Sequence, residues 1–247
     1  MGNEGNRRVT FAGVLNFRDI GGYPVAGGRE TRWRAVYRSD SLHLLTEADL
    51  AAFDALGVKA IYDLRADREV EHFPGPRDHI RLLVPSGDLM AWPKDSLQSR
   101  RDGEEWLAAD YLSMLANAAP VFGTLLSRLA ADETRPAVVH CLAGKDRTGM
   151  VIALLLTALG ADRGTVLDDY ELTSTCHVSR VPEIVEIFAQ LGIGRPAAEA
   201  LLSTPRWAMD QALRELDQAH GGIETYLLGP AGMSPQALSA LRTNLLA

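Results

Sequence analysis

The stretch from 137 to 160, AVVHCLAGKDRTGMVIALLLTALG, constrains the fold more than any other part of the chain. Its opening AVVH, introduced by Pro136, is an apolar run too short for a helix and reads as a buried strand. Residues 149–160 are apolar on every side, as a helix enclosed in a core must be. Between them lies a loop that turns at Gly144. Strand, loop and buried helix in that order build parallel α/β layers. The junction also has a chemical consequence. The first N–H groups of a helix have no intrahelical partner and its dipole adds positive potential, so the loop suits a bound anion.

The remaining patterns agree with an α/β layer architecture, a central sheet flanked by helices. The turn-rich NFRDIGGYPVAGG (16–28) gives way to TRWRAVYRS, in which Trp33, Ala35 and Tyr37 alternate, and the pair predicts an early hairpin. Thr46 with Glu47 and Asp49 marks a helix start, and Gly57 its end. VKAIYDLR (58–65) and HIRLLVPSG (79–87) read as strands, and residues 92–103 as an exposed loop. Trp106, Leu107, Tyr111, Met114 and Leu115 repeat at helical spacing, as do Phe122, Leu125, Leu126 and Leu129, and both helices are expected to pack on the sheet. Beyond Asp162 the pattern is helical over 163–174, 179–191, 196–218 and 234–246, with Ile184 to Leu191 a clear apolar stripe. No linker-like stretch separates this half from the sheet, so 1–247 is expected to be one domain, with 163–218 a helical lid or insertion.

Composition narrows the function classes. The apolar run at 149–160 is shorter than the about 20 residues a membrane span needs, and no stable membrane insertion is expected. Only Cys141 and Cys176 are present, too few for a disulfide framework and without zinc-site spacing. Cys176 reads as inert packing. The N-terminus has neither an apolar signal region nor a myristoylation site, so the expected location is cytoplasmic, or secreted without a readable signal. A net charge of −7 argues against nucleic acid as a partner. The charge is uneven: residues 1–40 carry seven Arg against four acids, whereas 161–247 carry six Arg against eleven. An anionic ligand therefore needs a local basic pocket.

Cys141 is followed six positions later by Arg147, a spacing that means little without its setting. In this setting the loop's N–H groups face a phosphate, Arg147 grips two of its oxygens, and Leu142, Ala143, Gly144, Lys145 and Thr148 complete the binding loop. The positive field favours the thiolate of Cys141, the form that attacks phosphorus, with Thr148 donating to the sulfur and His140 orienting the loop. The product is a cysteinyl-phosphate that water hydrolyses with help from a carboxylic acid, and neither metal nor other cofactor is required. Three carboxylates are candidates for that acid: Asp146 in the loop, Asp63 at the end of a predicted strand, and Asp95 in WPKD. Lys145, one of only three lysines, adds charge for a substrate bearing several phosphates.

HCLAGKDRTG, together with NFRDIGGY and YDLRADREV, resembles the bacterial cysteine-dependent tyrosine and lipid phosphatases. The resemblance runs from about Asn16 to the C-terminal helices and is most specific at 140–149. It implies a tyrosine phosphatase-like fold, Cys141 as nucleophile, Arg147 as phosphate ligand and a catalytic role for Asp146. It also implies that Lys145 and Asp146 accompany acceptance of phosphoinositides beside phosphotyrosine, with phosphoserine and phosphothreonine open. The same resemblance places Asn16, Arg18 and Asp19 near the core of the site and helices of the C-terminal half over it. Two other readings compete: a sulfurtransferase of rhodanese type, whose loop lacks the Arg-Thr-Gly ending, and a module that binds phosphate without turnover.

Overall fold

The computed structural model describes residues 7–87 and 96–247. Its main sheet is built from β1 (Arg18–Asp19), β4 (Val36–Ser39), β5 (Ala60–Asp63), β6 (Ile80–Arg81) and β7 (Ala137–His140), in the order β1-β4-β7-β5-β6. The last four strands in that order are mutually parallel, and β1 runs antiparallel to β4 at one edge. β2 (Pro24–Val25) and β3 (Arg29–Glu30) form a separate small hairpin. The early hairpin of the sequence reading is thus divided. Tyr37 and Arg38 do pair with Asp19 and Arg18, but their strand also lies beside β7 within the parallel sheet.

Two-residue periodicity allots the strand side chains to two cores. Tyr37, Ile61 and Val138 point to one face and pack with Phe11, Phe17, Leu42 and Phe53. Val36, Ala60, Tyr62, Ala137 and Val139 point to the other, into the larger core. Central to that larger core is α5 (Asp146–Leu159), whose residues from Thr148 to Leu156 are all buried and which stops at the left-handed Gly160. Each fully buried Leu or Ile there contributes about 1.5–3 kcal/mol.

The other helices are α1 (Glu47–Asp54), α2 (Asp67–His72), α3 (Arg100–Asn117), α4 (Ala119–Ala130), α6 (Arg163–Cys176), α7 (Val181–Gln190), α8 (Arg195–Leu202), α9 (Arg206–His220), α10 (Ile223–Leu228) and α11 (Pro235–Asn244). Thr46 and Asp49 close α1 with reciprocal bonds, as their spacing predicts. Elsewhere the structure corrects the sequence reading. Residues 100–103 are the first turn of α3 rather than loop, because Ser99 and Asp102 form the same reciprocal cap. Residues 196–218 make two helices, separated where Pro205 follows Ser203 and Thr204. α3 packs chiefly against α8 and α9, and α4 against α11, so both meet helices more than the sheet.

The parallel strands place their carboxyl ends together, and β4, β5 and β7 run into Asp40-Ser41, Leu64-Arg65 and the 141–145 loop along one crest of the sheet. Ligand sites of open α/β sheets gather at this edge. No helix among the described residues is long and apolar enough to cross a membrane.

Candidate active site

The crest is organised around the loop between β7 and α5. Cys141 is 2% exposed at its start. The loop's carbonyls are held from outside: Leu142 O accepts from the Ser41 N–H at 2.9 Å, and Ala143 O from the Asn16 amide at 3.1 Å and from His177 Nε2 at 2.7 Å. Gly144 O accepts from the Asn16 amide at 3.1 Å and from Arg38 Nη2 at 2.6 Å. In a trans peptide the N–H points opposite to the C=O. Drawing these oxygens outward therefore turns the N–H groups of residues 143–145 the other way. Among the described residues, no protein group accepts from the N–H of any residue from 142 to 148. Gly144, at φ +64°, is needed for the turn, since a Cβ would lie 2.3 Å from the Ser39 carbonyl oxygen.

Asn16, Arg18 and Arg38 do not act alone. Asp169, buried on α6, accepts from Arg18 Nε at 3.0 Å, Tyr23 Oη at 2.7 Å and Arg38 Nη1. Arg18 also donates to the Asn16 side-chain oxygen, which leaves the Asn16 amide facing the loop. Burial by itself would raise the Asp169 carboxyl, but the two guanidinium groups outweigh it and hold it well below the carboxylate range. One carboxylate thus secures the two cations that brace the loop. Asp19 has a different task, accepting the N–H groups of Gly21 and Arg34 at 2.8 Å each.

Arg147 lies in the first turn of α5 with Nη1 2.5 Å and Nη2 2.8 Å from the two oxygens of Glu69. Burial works against its charge, yet the Glu69 bonds raise its pKa above the usual arginine value. Glu69 also caps its own helix by accepting the Ala66 N–H at 2.6 Å. The pair fixes the plane of the guanidinium while the other edges of the fork stay clear of Glu69. Arg147→Lys is expected to lower kcat by about 10²–10³-fold, because an ammonium cannot meet Glu69 and a phosphate through one fixed plane. Steady-state kinetics on a phosphate monoester would contradict this if kcat fell less than tenfold.

The candidate acids are distributed as follows. Asp146 begins α5, half-buried, with Oδ1 2.6 Å from the Tyr111 hydroxyl and 3.0 Å from Lys145 Nζ. Tyr111 in turn meets the Tyr170 hydroxyl at 2.6 Å, and burial raises both phenols well above their ordinary value, so they act as proton-bearing donors. Asp63 is fully buried. Its carboxylate accepts from the Arg65 backbone at 3.0 Å, Nε at 2.9 Å and Nη2 at 2.7 Å. Burial opposes its ionisation, but the Arg65 bonds prevail and lower it. Asp95 lies outside the described residues.

Lys145 departs from the sequence reading. Its ammonium is buried, donating to the carbonyls of Leu201 at 2.6 Å, in the last turn of α8, and of Ser203 at 3.0 Å, just after it. Thr148 Oγ1 is buried and makes no hydrogen bond to Cys141 or any other described group. Leu142 is 37% exposed at the mouth, and Cys176 is buried at the end of α6.

Glu69, Asp169, Arg38 and His177 were absent from the sequence reading as site residues, and so was Asp110. Asp110 is buried beside Tyr111, accepts the Gly87 N–H, and burial pushes its carboxyl up to about 6, with Asp146 adding to the rise. An aspartate on the buried stripe of a helix was the readable signal. Burial lowers His140 to about 4. The two shifts have opposite consequences for pH. His140 binds a proton more readily when unfolded, so stability drops as pH falls from 6.5 through 4; Asp110 binds one more readily when folded, so stability drops as pH rises from 3.8 through 6. Asp110→Asn removes the compensating slope. The variant should lose more in thermal midpoint between pH 6.5 and 4.5 than the unaltered chain does, and an equal loss would refute this balance.

The profile of the tyrosine phosphatase family matches residues 9–247. A tyrosine-protein phosphatase of Nostoc commune is 30% identical over 220 residues, covering 85% of this chain and 74% of that one. The triple specificity protein phosphatase PtpB of Mycobacterium tuberculosis is 28% identical over 275 aligned residues, covering 95% and 97%.

Proposed function

Since the chain belongs to the tyrosine phosphatase family, we propose that it hydrolyses phosphate monoesters through a cysteinyl-phosphate formed on Cys141, with phosphotyrosine on a protein as the principal substrate. The observation that carries this reading is the loop itself: outward-held carbonyls, unclaimed N–H groups and a charged Arg147 converge next to a buried cysteine. In the first step Cys141 Sγ attacks phosphorus in line with the ester oxygen, the S–P bond forms, the P–O bond breaks, and Asp146 passes a proton to the departing oxygen. In the second, Asp146 takes a proton from water as the water oxygen attacks phosphorus, and the thiolate leaves. Charge on the equatorial oxygens is met throughout by the loop N–H groups and Arg147, which need little reorganisation.

Asp146 is favoured over Asp63 as the acid because its carboxyl is partly open to the mouth and its orientation is set by Tyr111, whereas Asp63 is enclosed and spent on Arg65. Asp146→Asn is expected to slow hydrolysis of an alkyl phosphate by about 10²–10⁴-fold and to alter hydrolysis of a nitrophenyl-type ester much less, since a good leaving group needs no proton. Equal losses on both would remove Asp146 from this role.

The reading that gave Lys145 a phosphoinositide contact loses its main support, because that ammonium is bonded to two backbone carbonyls. Hydrolysis of a phosphotyrosine peptide and of a phosphoinositide, side by side, tests the order of preference. Acid quenching during turnover of ³²P-labelled peptide is expected to trap label on the protein. Absence of trapped label together with absence of released phosphate would favour the module that binds without turnover, and faster release from the lipid would reverse the proposed preference.

A further inference from the structure

Behind the nucleophile loop the sheet brings together a set of ligand-bearing side chains that the phosphatase chemistry does not use. Asp63 ends β5 and His140 ends β7, directly opposite one another in the parallel register. His79 immediately precedes β6, whose Ile80 pairs with Tyr62. One ligand atom from each of Asp63, His79 and His140 lies within 4.8 Å of the others.

The protonation pattern makes this cluster unusual. His140 Nδ1 is 3.1 Å from the carbonyl oxygen of Cys141, so Nδ1 carries the hydrogen and Nε2 presents a lone pair. That Nε2 is fully buried, has no hydrogen-bond partner, and faces Asp63 Oδ1 at 3.9 Å. Arg65 already meets the charge of Asp63, but no hydrogen stands between that carboxylate and the His140 lone pair, so a buried nitrogen is left with nothing to accept from. Both ring nitrogens of His79 are likewise buried without partners, and its ring centroid is 5.7 Å from that of His140.

The surroundings of His140 and Asp63 match what metal ligands require. A metal-bound histidine donates its other N–H to a carbonyl or carboxylate, as His140 does to Cys141 O, and a metal-bound carboxylate is itself hydrogen-bonded, as Asp63 is by Arg65. Two imidazoles and one carboxylate suit a borderline first-row cation and not calcium or magnesium, which take oxygen ligands. Bonds of about 2.0–2.2 Å need the three ligand atoms to draw somewhat closer than the 3.9 Å between His140 Nε2 and Asp63 Oδ1 and the 4.8 Å that bounds the set.

We propose that Asp63, His79 and His140 form a binding site for Zn²⁺ or a similar divalent transition-metal ion, separate from the phosphate loop and joined to it through the bond from His140 to the Cys141 carbonyl. Cys141 could itself take up zinc, so the test uses the full-length Cys141→Ser chain, stripped with chelator and dialysed, which keeps the cluster and does not depend on phosphatase activity. Calorimetric titration with Zn²⁺ should give one site, and adding His79→Gln should raise its Kd at least tenfold while leaving the metal-free thermal midpoint within a few degrees. Loss of binding on replacing Cys141 alone, or a Kd unaffected by His79→Gln, overturns the proposal. If His79→Gln impairs folding, Co²⁺ added to the Cys141→Ser chain decides: visible absorption of a nitrogen- and oxygen-ligated ion with no thiolate charge-transfer band is expected, and the spectrum of the aqueous ion overturns the site.

Discussion

Asp169→Ala is expected to lower the stability of the folded chain by about 3–5 kcal/mol, a large share of the about 5–15 kcal/mol that a typical domain possesses. The carboxylate is the shared counter-charge of Arg18 and Arg38, whose side chains are 3% and 0% exposed. Without it two guanidinium groups remain buried beside each other. Burial and the neighbouring Arg18 already depress the Arg38 pKa, and Asp169 is what opposes them. For a chain of this size the loss corresponds to a fall of roughly 10 °C in thermal midpoint. Asp169→Asn should fall between the two, since an amide keeps an acceptor oxygen and loses the charge. Activity should suffer beyond the stability loss, because Arg38 and Asn16 hold the loop carbonyls that orient its N–H groups. A midpoint for Asp169→Ala within about 2 °C of the unaltered chain would mean that the network is not a unit.

The other large effect concerns Cys141, the proposed nucleophile. Cys141→Ser should reduce turnover by about 10⁵–10⁶-fold, the scale on which removing the nucleophile of a cooperating set acts. A serine hydroxyl is nearly the size of the thiol, but it is far harder to ionise and has no base placed to take its proton. The N–H groups, Arg147 and Glu69 are left in place, so affinity for a phosphotyrosine peptide should stay within a few-fold. The informative pairing is therefore kinetics with direct binding on the same sample. Turnover above one part in a thousand would show that the sulfur is not the attacking atom, whereas loss of binding as well would show that the loop needs the cysteine to hold its shape.

What was legible in the chain follows the distance over which each interaction acts. The buried strand, the loop and α5 are contiguous, and their order alone makes the candidate loop readable. The cap of α1 was equally readable from Thr46 and Asp49, yet the same device at Ser99 and Asp102 lay hidden in a polar run that resembles loop. Glu69 stands 78 positions from Arg147, and Asp169 stands 151 from Arg18 and 131 from Arg38, so no local pattern announces either pairing. Asp63 shows the converse. Its place at a strand end was foreseeable, but its partner, Arg65, is only two residues away and decides that the carboxylate is enclosed. Lys145 reads in the sequence as a charge for a multiply phosphorylated substrate because charge is visible there, and the side chain's turn toward Leu201 and Ser203 is not.

The bonds from Lys145 to the carbonyls of Leu201 and Ser203 bear on how freely the decapeptide at 140–149 can travel between proteins. Grafted onto another strand-to-helix junction, the peptide would bring an ammonium that keeps Asp146 beside it but expects two further oxygens from a helix end some 56 residues downstream, and the host would have to supply them or leave that ammonium's remaining hydrogens without acceptors. Reactive motif and remote helix are in this sense one inheritable part. Substitutions that shift the end of α8 should accordingly be selected together with changes at 145, although neither segment would look like the other's neighbour in the written sequence.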